Sequence, residues 1–329
     1  MADSFDVVVA GGGIAGLTAA LTSARLGSST MVLTGGVPGG LLLSIDRIDG
    51  VPGYPDGVAG YDLCPLTQEQ AAASGAAFSM GELEGLEAAA DGWQLATSEG
   101  DLVARALIVA TGARFKRLDV PGEDRLRGHG VSDCASCDAP LLRDRVAAVV
   151  GGGDSALQEA LTLAESVAQV IVLQREDTLT AQEAYRRAAA EHPRIEIRYR
   201  SVVEEVLGDE RVAGVRVRDL ASDALDDVAV DAVFPFVGLQ PSSQVLDGHL
   251  ELDGDGSVPT DAGLRARLAG VFAAGIVRRG SAGRAAASAG EGAAAAVAAH
   301  RYLEDGLWAQ EGTTSGAIAV AHGNGGADG

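Results

Sequence analysis

Apolar runs that end in glycine turns are the dominant pattern along this chain. Residues 5–27, FDVVVAGGGIAGLTAALTSARLG, combine an apolar run, three consecutive glycines and a stretch of small residues. This order predicts a buried β-strand, a tight turn and a helix. The same order returns at residues 145–165, RVAAVVGGGDSALQEALTLAE, so the pattern predicts a second unit of the same kind.

Further strands are predicted between and after these two units. Residues 104–115, ARALIVATGARF, indicate a buried strand that ends in a turn. Residues 194–220 alternate around a polar turn, which predicts a small antiparallel meander. Residues 229–243 predict a strand with a Gly-x-x-Pro exit, and residues 268–306 predict a strand, a loop and a long helix of small residues. Periodicity is lost from about Gly306, so we expect residues 306–329 to form a flexible tail.

Both glycine turns match a dinucleotide-binding fingerprint, G-x-G-x-x-G in the first unit and G-x-G-x-x-A in the second. The matching positions are Gly11, Gly13 and Gly16, and then Gly151, Gly153 and Ala156. The first glycine permits the tight turn, the second admits a pyrophosphate to the backbone, and the third position lets helix pack on strand. Two such units in one chain are typical of α/β flavoproteins, in which FAD and a pyridine nucleotide each occupy one fold.

Length and charge limit the classes of partner. The 329 residues are enough for about two domains. The formal net charge is −21 and the pI is about 4.5, which excludes nucleic acids and anionic membranes as expected partners. The first residues, MADSFDVVVAGGG, do not resemble a signal peptide, and no apolar run is long enough to span a bilayer. We therefore expect a cytoplasmic protein with no membrane partner.

The stretch GVSDCASCDAP places Cys134 and Cys137 two residues apart, with Asp138 directly after the second cysteine. Stable structural disulfides are rare in the cytoplasm, so redox or metal chemistry is favoured over a structural bond. A zinc site would need two more ligands at matching spacing, and only Cys64 and five scattered histidines are left. We expect no metal, a redox-active Cys-x-x-Cys pair with a lowered thiol pKa, and a buried helical thiol at Cys64.

Taken together, these motifs resemble the low-molecular-weight thioredoxin reductase family of FAD-dependent disulfide oxidoreductases. The resemblance covers roughly residues 5 to 305 and is carried by GGGIAG, VLTGGVPGG, ALIVATGA, GHGVSDCASCD, GVFAAG and SAGEG. It implies two Rossmann-like three-layer domains, with the second inserted in the first. The FAD-binding domain would comprise residues 1–114 and 246–305, and the NAD(P)-binding-like domain with the Cys-x-x-Cys would comprise residues 115–245. The resemblance also implies a homodimer.

The resemblance also implies roles for single residues. Cys137 would be the sulfur nearer the flavin, Cys134 the one that exchanges with substrate, and Asp138 the acid that serves the thiol pair. The implied FAD-binding positions are Gly11, Gly13, Gly16, Thr34, Gly39, Gly40, Thr111, Gly112, Gly275, Arg284 and Ala285. The nucleotide positions are Gly151, Gly153, Ala156, Arg175 and Glu176.

The nucleotide site departs from the family pattern for NADPH. The family carries three arginines that hold the 2′-phosphate, whereas this chain has Gln174, Arg175 and Glu176, with Thr180 at the place of the last arginine. An acid about twenty residues after the fingerprint normally accepts from a ribose 2′-hydroxyl, which is the NAD pattern. This site is therefore expected to prefer NADH or to bind no nucleotide productively, and the choice between NADH and NADPH stays open.

The flavin side departs as well, because Leu41, Gly50 and Ile276 replace polar family residues and Arg284 replaces a glutamine. A cation near the pyrimidine edge of the flavin would stabilise the reduced anionic form. These changes favour a dithiol oxidase, which closes a disulfide in a small molecule or protein and passes electrons to O2. Two alternatives remain, namely an NAD(P)H-dependent reductase of a thioredoxin-like disulfide, and a non-catalytic or sensor protein on the same fold.

Overall fold

Strands and helices alternate through the part of the chain that this computed structural model describes, which is residues 3–306 and 308. The strands are β1 Asp3–Ala10, β2 Thr30–Leu33, β3 Ala77–Ser79, β4 Leu83–Ala89, β5 Gly92–Thr97, β6 Leu102–Val109, β7 Ala113–Phe115, β8 Val146–Val150, β9 Gln169–Leu173, β10 Ile195–Arg198, β11 Ser201–Leu207, β12 Gly214–Asp219, β13 Leu225–Val228, β14 Ala232–Pro235, β15 Leu239–Pro241 and β16 Val271–Ala273. The helices are α1 Ile14–Arg25, α2 Gly60–Ala73, α3 Glu123–Leu126, α4 Ala135–Asp138, α5 Asp154–Ala164, α6 Glu183–Glu191 and α7 Ala285–Asp305. Short 3-10 segments cover Gly40–Ser44, Ala139–Leu142 and Gln244–Leu246.

The first fingerprint follows the central strand of a mixed sheet with the order β3-β2-β1-β6-β5-β4. Strands β1, β2, β3 and β6 run parallel, and Val9 lies opposite both Val32 and Ile108. Strand β16 pairs in parallel with the last residues of β6, whereas β5 pairs antiparallel with its first residues. Because β16 comes from near the other end of the chain, this sheet is built from both chain ends.

Helices cover one face of this sheet and further apolar chain covers the other. Val7, Val9 and Ile108 point toward a core shared with the alanines of α1 and α7. Val8 and Val109 point to the opposite face, where they meet side chains of the β4–β5 hairpin and of residues 246–277. Successive side chains of β1 and β6 point to opposite faces of the sheet, and both faces are buried. This explains why their apolar residues form a continuous run.

The second fingerprint follows a parallel sheet with the order β10-β9-β8-β14. Ala147 and Val149 on one face pack against α5, and Ala148 and Val150 on the other pack against the antiparallel sheet β11-β12-β13. The expected three-layer Rossmann-like architecture is therefore confirmed for both units.

The two sheets are connected by a short antiparallel ladder between β7 and β15. Phe115 lies opposite Leu239, and Ala113 lies opposite Pro241. The chain passes from the first sheet to the second through β7 and returns through β15. The residues of the second sheet therefore lie between two segments of the first in the sequence. The domain bounds of 1–114 with 246–305 and of 115–245 stay a prediction, and this ladder lies at both of their borders.

Two expectations from the sequence need adjustment. Residues 194–220 were expected to form only a meander, but Ile195–Arg198 is a parallel strand of the second sheet, and the meander begins at Ser201. Arg200 separates them in the left-handed backbone region, at φ 52°. The predicted flexible tail, 306–329, lies outside the described residues except for Gly306 and Trp308, and Trp308 packs edge-on against Phe272 and Tyr302.

Close approach between α1 and α7 depends on a missing side chain. A Cβ atom added to Gly292 of α7 would lie 2.0 Å from the backbone oxygen of Ala15 in α1. A contact that short with a backbone atom forces one of the helices to move. Gly292 is therefore the position on α7 at which we expect the packing of the first domain to be most sensitive.

We expect Gly292→Ala to lower the free energy of unfolding by about 1–3 kcal/mol, because it overpacks a helix contact that cannot yield. Gly290→Ala is the matched control, since a Cβ there meets no atom within 4 Å. Alanine favours a helix over glycine, so the control should be neutral or stabilising by up to about 1 kcal/mol. Chemical denaturation of both variants measures the difference, and equal effects would contradict the packing argument.

Candidate active site

The first fingerprint forms a turn that opens on one side only. A Cβ on Gly11 would lie 2.1 Å from the carbonyl oxygen of Ala110, and one on Gly16 would lie 1.9 Å from that of Gly11. A Cβ on Gly13 would meet no atom within 4 Å, so this glycine faces open space. Helix α1 begins at the next residue, Ile14, with its first backbone N–H groups toward that space. This arrangement fits a pyrophosphate, the central group of FAD.

Thr34, Gly39 and Gly40 extend this cradle along the end of β2. The Gly39 N–H donates to the carbonyl of Gly12 over 2.7 Å, which brings the second glycine-rich loop onto the first. The Thr34 hydroxyl donates to the Gly36 carbonyl at 2.7 Å, and the Ser79 carbonyl lies 3.1 Å from the same hydroxyl as a second possible acceptor. Thr34 therefore positions the loop through its hydroxyl, and the glycines supply the open backbone.

Thr111 and Gly112 lie where the chain leaves the first sheet. The Thr111 hydroxyl donates to the carbonyl of Ser242 at 2.5 Å, and the Ser242 N–H donates to that of Gly112 at 3.0 Å. These two hydrogen bonds join the two segments in which the chain passes between the two sheets. Both residues therefore hold the domain junction, beside the role that the family resemblance implies for them in FAD binding.

Gly275 follows β16, and an acidic residue from α7 bonds its backbone. The Gly275 N–H donates to the Glu291 carboxylate at 2.8 Å, and the Arg278 guanidinium donates to both oxygens of the same carboxylate at 2.6 and 3.2 Å. This half-buried ion pair lies directly beside Ile276, which stands at the family's acidic position. Glu291 belongs to the SAGEG motif, which does not by itself predict this partner; the packing of α7 brings the two residues together.

Cys134 and Cys137 form a disulfide, with their Cα atoms 5.4 Å apart. Cys134 caps the four-residue helix α4, and the Cys137 N–H donates to its sulfur at 3.3 Å. The Cys134 sulfur lies 3.7 Å from the carbonyl oxygen of Ser44 in the other domain, to which the Ser136 hydroxyl donates at 3.0 Å. Cys134 is half-buried, Cys137 is exposed, and Asp138 is the last residue of the same helical turn.

A buried acid that sequence analysis did not identify lies behind this turn. Glu159 of α5 is only 6% exposed, and it accepts a hydrogen bond from the backbone N–H of Ala135, the residue after Cys134. Burial and the nearby negative charge of Asp46 raise the pKa of the Glu159 carboxyl from its ordinary 4.5 to about 7. In the sequence, Glu159 is one position of an amphipathic helix. That pattern does not predict that the redox turn packs on it.

The second fingerprint repeats the geometry of the first. A Cβ on Gly151 would lie 2.3 Å from the carbonyl oxygen of Phe236, and Ala156 is fully buried at the third position. A Cβ on Gly153 would meet only the Thr180 hydroxyl, at 3.8 Å, so this glycine is also almost open. These features fit the pyrophosphate of a dinucleotide.

Glu176 lies beyond the second strand of that sheet with no buried partner. Its carboxylate pairs with the neighbouring Arg175 at 3.0 Å, and both side chains are exposed. Gln174, by contrast, is buried and donates its amide to the Thr178 carbonyl at 2.7 Å. The single arginine that matches the family's phosphate-binding set is therefore already engaged by an adjacent carboxylate.

Arg284 lies between the two domains. It is the residue before α7, next to Ala285, and its guanidinium pairs with Asp154 in the first turn of α5. Asp154 also accepts the Gln182 backbone N–H at 2.6 Å. In this arrangement the charge of Arg284 is engaged by the second fingerprint, and its predicted effect on the flavin stays a prediction.

Two clefts lie at this domain junction. The larger, of about 790 Å³, is lined by the second fingerprint, by Arg175, Glu176 and Thr180, and by Ala282–Arg284 of the other domain. The smaller, of about 470 Å³, lies beside Cys134 and is lined by Leu41 and Leu43 together with three arginines, Arg114, Arg117 and Arg127.

The remaining cysteine and the histidine near the redox turn have structural positions. Cys64 is fully buried in α2, and burial raises the pKa of its thiol to about 11. The prediction of a buried helical thiol is confirmed. The backbone of His129 forms a turn with Leu126 and accepts the Val212 N–H at 3.0 Å, while its side chain is exposed. Among residues 3–306 and 308, no three His, Cys, Asp or Glu side chains are grouped as a metal site, and no helix is long and apolar enough to cross a bilayer.

A family model described as pyridine nucleotide-disulphide oxidoreductase matches residues 5–298. The chain belongs to this family. It is 34% identical to a thioredoxin reductase of Treponema pallidum over 304 residues, which cover 92% of this chain and 99% of the relative. Its structure matches that of Lactococcus lactis thioredoxin reductase in the FR conformation, with a TM-score of 0.88, 33% identity, and coverage of 91% and 99% of the two chains. A Streptococcus pyogenes thioredoxin reductase gives a TM-score of 0.62 at 32% identity, with coverage of 92% and 99%.

These comparisons confirm an FAD-dependent, thioredoxin-reductase-like thiol-disulfide oxidoreductase. They do not confirm the leading prediction of a dithiol oxidase that uses O2, and they fit the reductase alternative better. Homodimer formation and a cytoplasmic location are likewise not confirmed. FAD, when bound in the first cradle, would supply two-electron transfer to or from the disulfide.

We expect Glu159 to make stability fall as pH rises from about 4.5 to about 7. Its pKa is higher in the folded than in the unfolded chain, so the folded state binds the proton more tightly. The resulting stabilisation is complete below the unfolded pKa and is lost as the pH rises through the folded pKa. The loss amounts to about 3 kcal/mol at most above pH 7. Glu159→Gln should remove this part of the pH dependence.

Denaturation midpoints at pH 5 and pH 8 measure the effect. The matched control is Glu165→Gln, which removes an exposed carboxyl just past the end of the same helix and should follow the native protein at both pH values. Equal pH dependence in Glu159→Gln and in the control would contradict the assignment of a raised pKa to Glu159.

Proposed function

We propose that this protein is an NADH-dependent reductase of a disulfide substrate of the thioredoxin type. The observation that carries the proposal is the larger cleft, in which the second fingerprint and Ala282–Arg284 of the first domain line one cavity. A nucleotide held at Gly151 and Gly153 would extend through this cavity toward the domain that binds FAD. The names of the relatives, thioredoxin reductases from several bacteria, support the same choice.

The preference for NADH rests on charge. Glu176 places a carboxylate where a 2′-phosphate would lie, and Arg175 is paired with it. A carboxylate repels a phosphate but accepts a hydrogen bond from a free ribose hydroxyl. Thr180 donates its backbone N–H to the Gly152 carbonyl at 2.9 Å, so the position where the family carries a further arginine closes the glycine loop instead.

The two cysteines would exchange electrons with the substrate by thiol-disulfide exchange. In the proposed sequence the Cys134 thiolate attacks the substrate disulfide, forms a mixed disulfide and releases one substrate thiolate. Cys137 then attacks the Cys134 sulfur, which re-forms the Cys134–Cys137 bond and releases the second substrate thiolate. Asp138 would exchange protons with the thiol pair.

The smaller cleft supports a substrate with acidic groups near its disulfide. Arg114, Arg117 and Arg127 line it beside Cys134, although Arg117 pairs with Asp124 and Arg127 with Glu123 and Asp133. The arginines contrast with the net charge of −21 on the whole chain. Because Arg117 and Arg127 are paired, the preference for an anionic partner rests on Arg114, for which no ion pair is found among the described residues. We include a cytoplasmic homodimer in this proposal, following the family resemblance.

A dithiol oxidase is the second candidate, because the phosphate-binding arginines are reduced to one that is already paired. An oxidase would take electrons from a dithiol and need no nucleotide. The two candidates differ in whether a reduced nucleotide binds in the larger cleft.

We expect NADH to bind at least about fivefold more tightly than NADPH, since one unfavourable charge contact is worth about 1 kcal/mol or more. Isothermal titration calorimetry with both nucleotides measures the ratio. Glu176→Arg combined with Thr180→Arg should reverse it by supplying two cations. Tighter binding of NADPH by the native protein would contradict the preference, and no binding of either nucleotide would favour the oxidase.

We expect Cys137→Ser to trap a mixed disulfide at Cys134, because the second thiol that would release it is gone. Cys134→Ser should trap at least about tenfold less under the same conditions, although Cys137 is the more exposed sulfur in this domain arrangement. Mass spectrometry after incubation with an aromatic disulfide reports the adduct. More adduct at Cys137 than at Cys134 would reverse the assigned roles.

A further inference from the structure

Glu159 lies directly behind the redox turn and is not accounted for by the roles above. Its side chain is 6% exposed, and one carboxylate oxygen accepts the N–H of Ala135, the peptide that joins Ala135 to Cys134. The other oxygen, Oε2, is buried with no hydrogen-bond partner among the described residues. A partly satisfied carboxyl therefore lies on the buried side of the helical turn that Cys134 caps.

Burying an ionised carboxyl is unfavourable unless the group is paired, fully hydrogen-bonded or protonated. A buried carboxylate with one hydrogen bond loses most of its hydration without replacement. A glutamine at this place would accept the same N–H bond and carry no charge. What distinguishes glutamate from glutamine here is a proton that can leave and return.

Charged groups around Glu159 come from both domains. Among them, the exposed carboxylate of Asp46, in the loop after the 3-10 segment of the first domain, acts on the Glu159 carboxyl as a like charge. Other titratable or charged residues on this loop and on the elements packed against α5 are Arg47, Asp49, Cys134, Cys137, Asp138, Glu183, Tyr185, Arg186, Arg187, Glu191, Glu196 and Arg198. The proton affinity of Glu159 therefore depends on a residue of the opposite domain.

We propose that Glu159 is a positioning residue that stores the proton displaced when the Cys134–Cys137 disulfide is reduced. The proposal rests on these cysteines being the redox pair and is independent of the nucleotide that supplies electrons. A thiolate that appears at Cys134 is a new negative charge close to the carboxyl, and it favours the protonated form of Glu159. By reciprocity, an ionised Glu159 disfavours the thiolate.

The step balances with a dithiol as reductant. The dithiol gives two electrons and two protons and becomes a disulfide, and the Cys134–Cys137 bond breaks. One proton completes a thiol at one cysteine, and the other cysteine stays a thiolate. The remaining proton passes to the Glu159 carboxylate, so charge is conserved within the site.

Infrared difference spectroscopy tests this in the native protein with FAD bound. Protein carrying 13C-labelled glutamate is reduced with dithiothreitol at pH 7.5, and the label separates glutamate from aspartate carboxyls. A gain of protonated glutamate signal is expected in the native protein and in Glu165→Gln, and its absence is expected in Glu159→Gln. No gain in the native protein, or a gain that persists in Glu159→Gln, would overturn the proposal.

The pH profile of thiol alkylation gives a second measurement. A purely structural effect of the mutation would not remove one inflection from this profile. In a Cys137→Ser background, the alkylation rate of Cys134 against pH should show two inflections, and Glu159→Gln should leave one. At pH 7.5 the rate should rise about tenfold in Glu159→Gln, which corresponds to a thiol pKa lowered by about one unit. Asp46→Asn should move the Glu159 inflection to lower pH. Superimposable profiles with and without Glu159 would overturn the proposal, whatever the outcome of nucleotide binding.

Discussion

A backbone carbonyl occupies the space where a side chain would stand at the first glycine of each fingerprint. The hypothetical Cβ of Gly11 would lie 2.1 Å from the Ala110 oxygen, and that of Gly151 would lie 2.3 Å from the Phe236 oxygen. Because only glycine permits this contact, each central strand turns directly into a helix. The open backbone at Gly13 and Gly153 and the first N–H groups of α1 and α5 therefore face ligand space. Both cradles, and the redox turn that packs on α5, depend on this contact.

The domain junction is held by polar contacts. The Gln158 amide donates to the Arg47 carbonyl at 2.6 Å, the Tyr185 hydroxyl bonds Asp49 at 3.2 Å, and Arg284 pairs with Asp154. Such contacts exchange readily with water, so they select an arrangement of domains without locking it. The Ser136 hydroxyl, which donates to the Ser44 carbonyl at 3.0 Å, adds one more polar contact across the junction.

Burial, rather than net charge, sets the chemistry of the acids near the site. Glu291 is half-buried, and it is bonded by Arg278 and by the Gly275 backbone, which satisfies its charge. Glu159 is buried with one hydrogen bond and a like charge nearby, and its pKa rises to about 7. No cationic partner acts on the pKa of Glu159, whereas the Glu291 carboxylate is bonded by Arg278. A buried carboxyl with one unsatisfied oxygen is what would let Glu159 take part in the proposed redox-linked proton exchange.

The sequence by itself determined the two fingerprints, the three-layer units, the family and the Cys-x-x-Cys pair, because each depends on short-range spacing. Gly11, Gly16 and Gly151 have local signatures, since a turn that requires glycine leaves glycine in the sequence. Tertiary structure alone decided that Ile195–Arg198 joins the parallel sheet, that Arg284 meets Asp154, and that Glu159 lies behind Cys134. These contacts join residues far apart in the chain, and their side chains look like ordinary surface positions of a strand or helix. The periodicity of the sequence does not predict these contacts. The packing of one helix or strand on another, rather than the residue type, brings the charged side chains together.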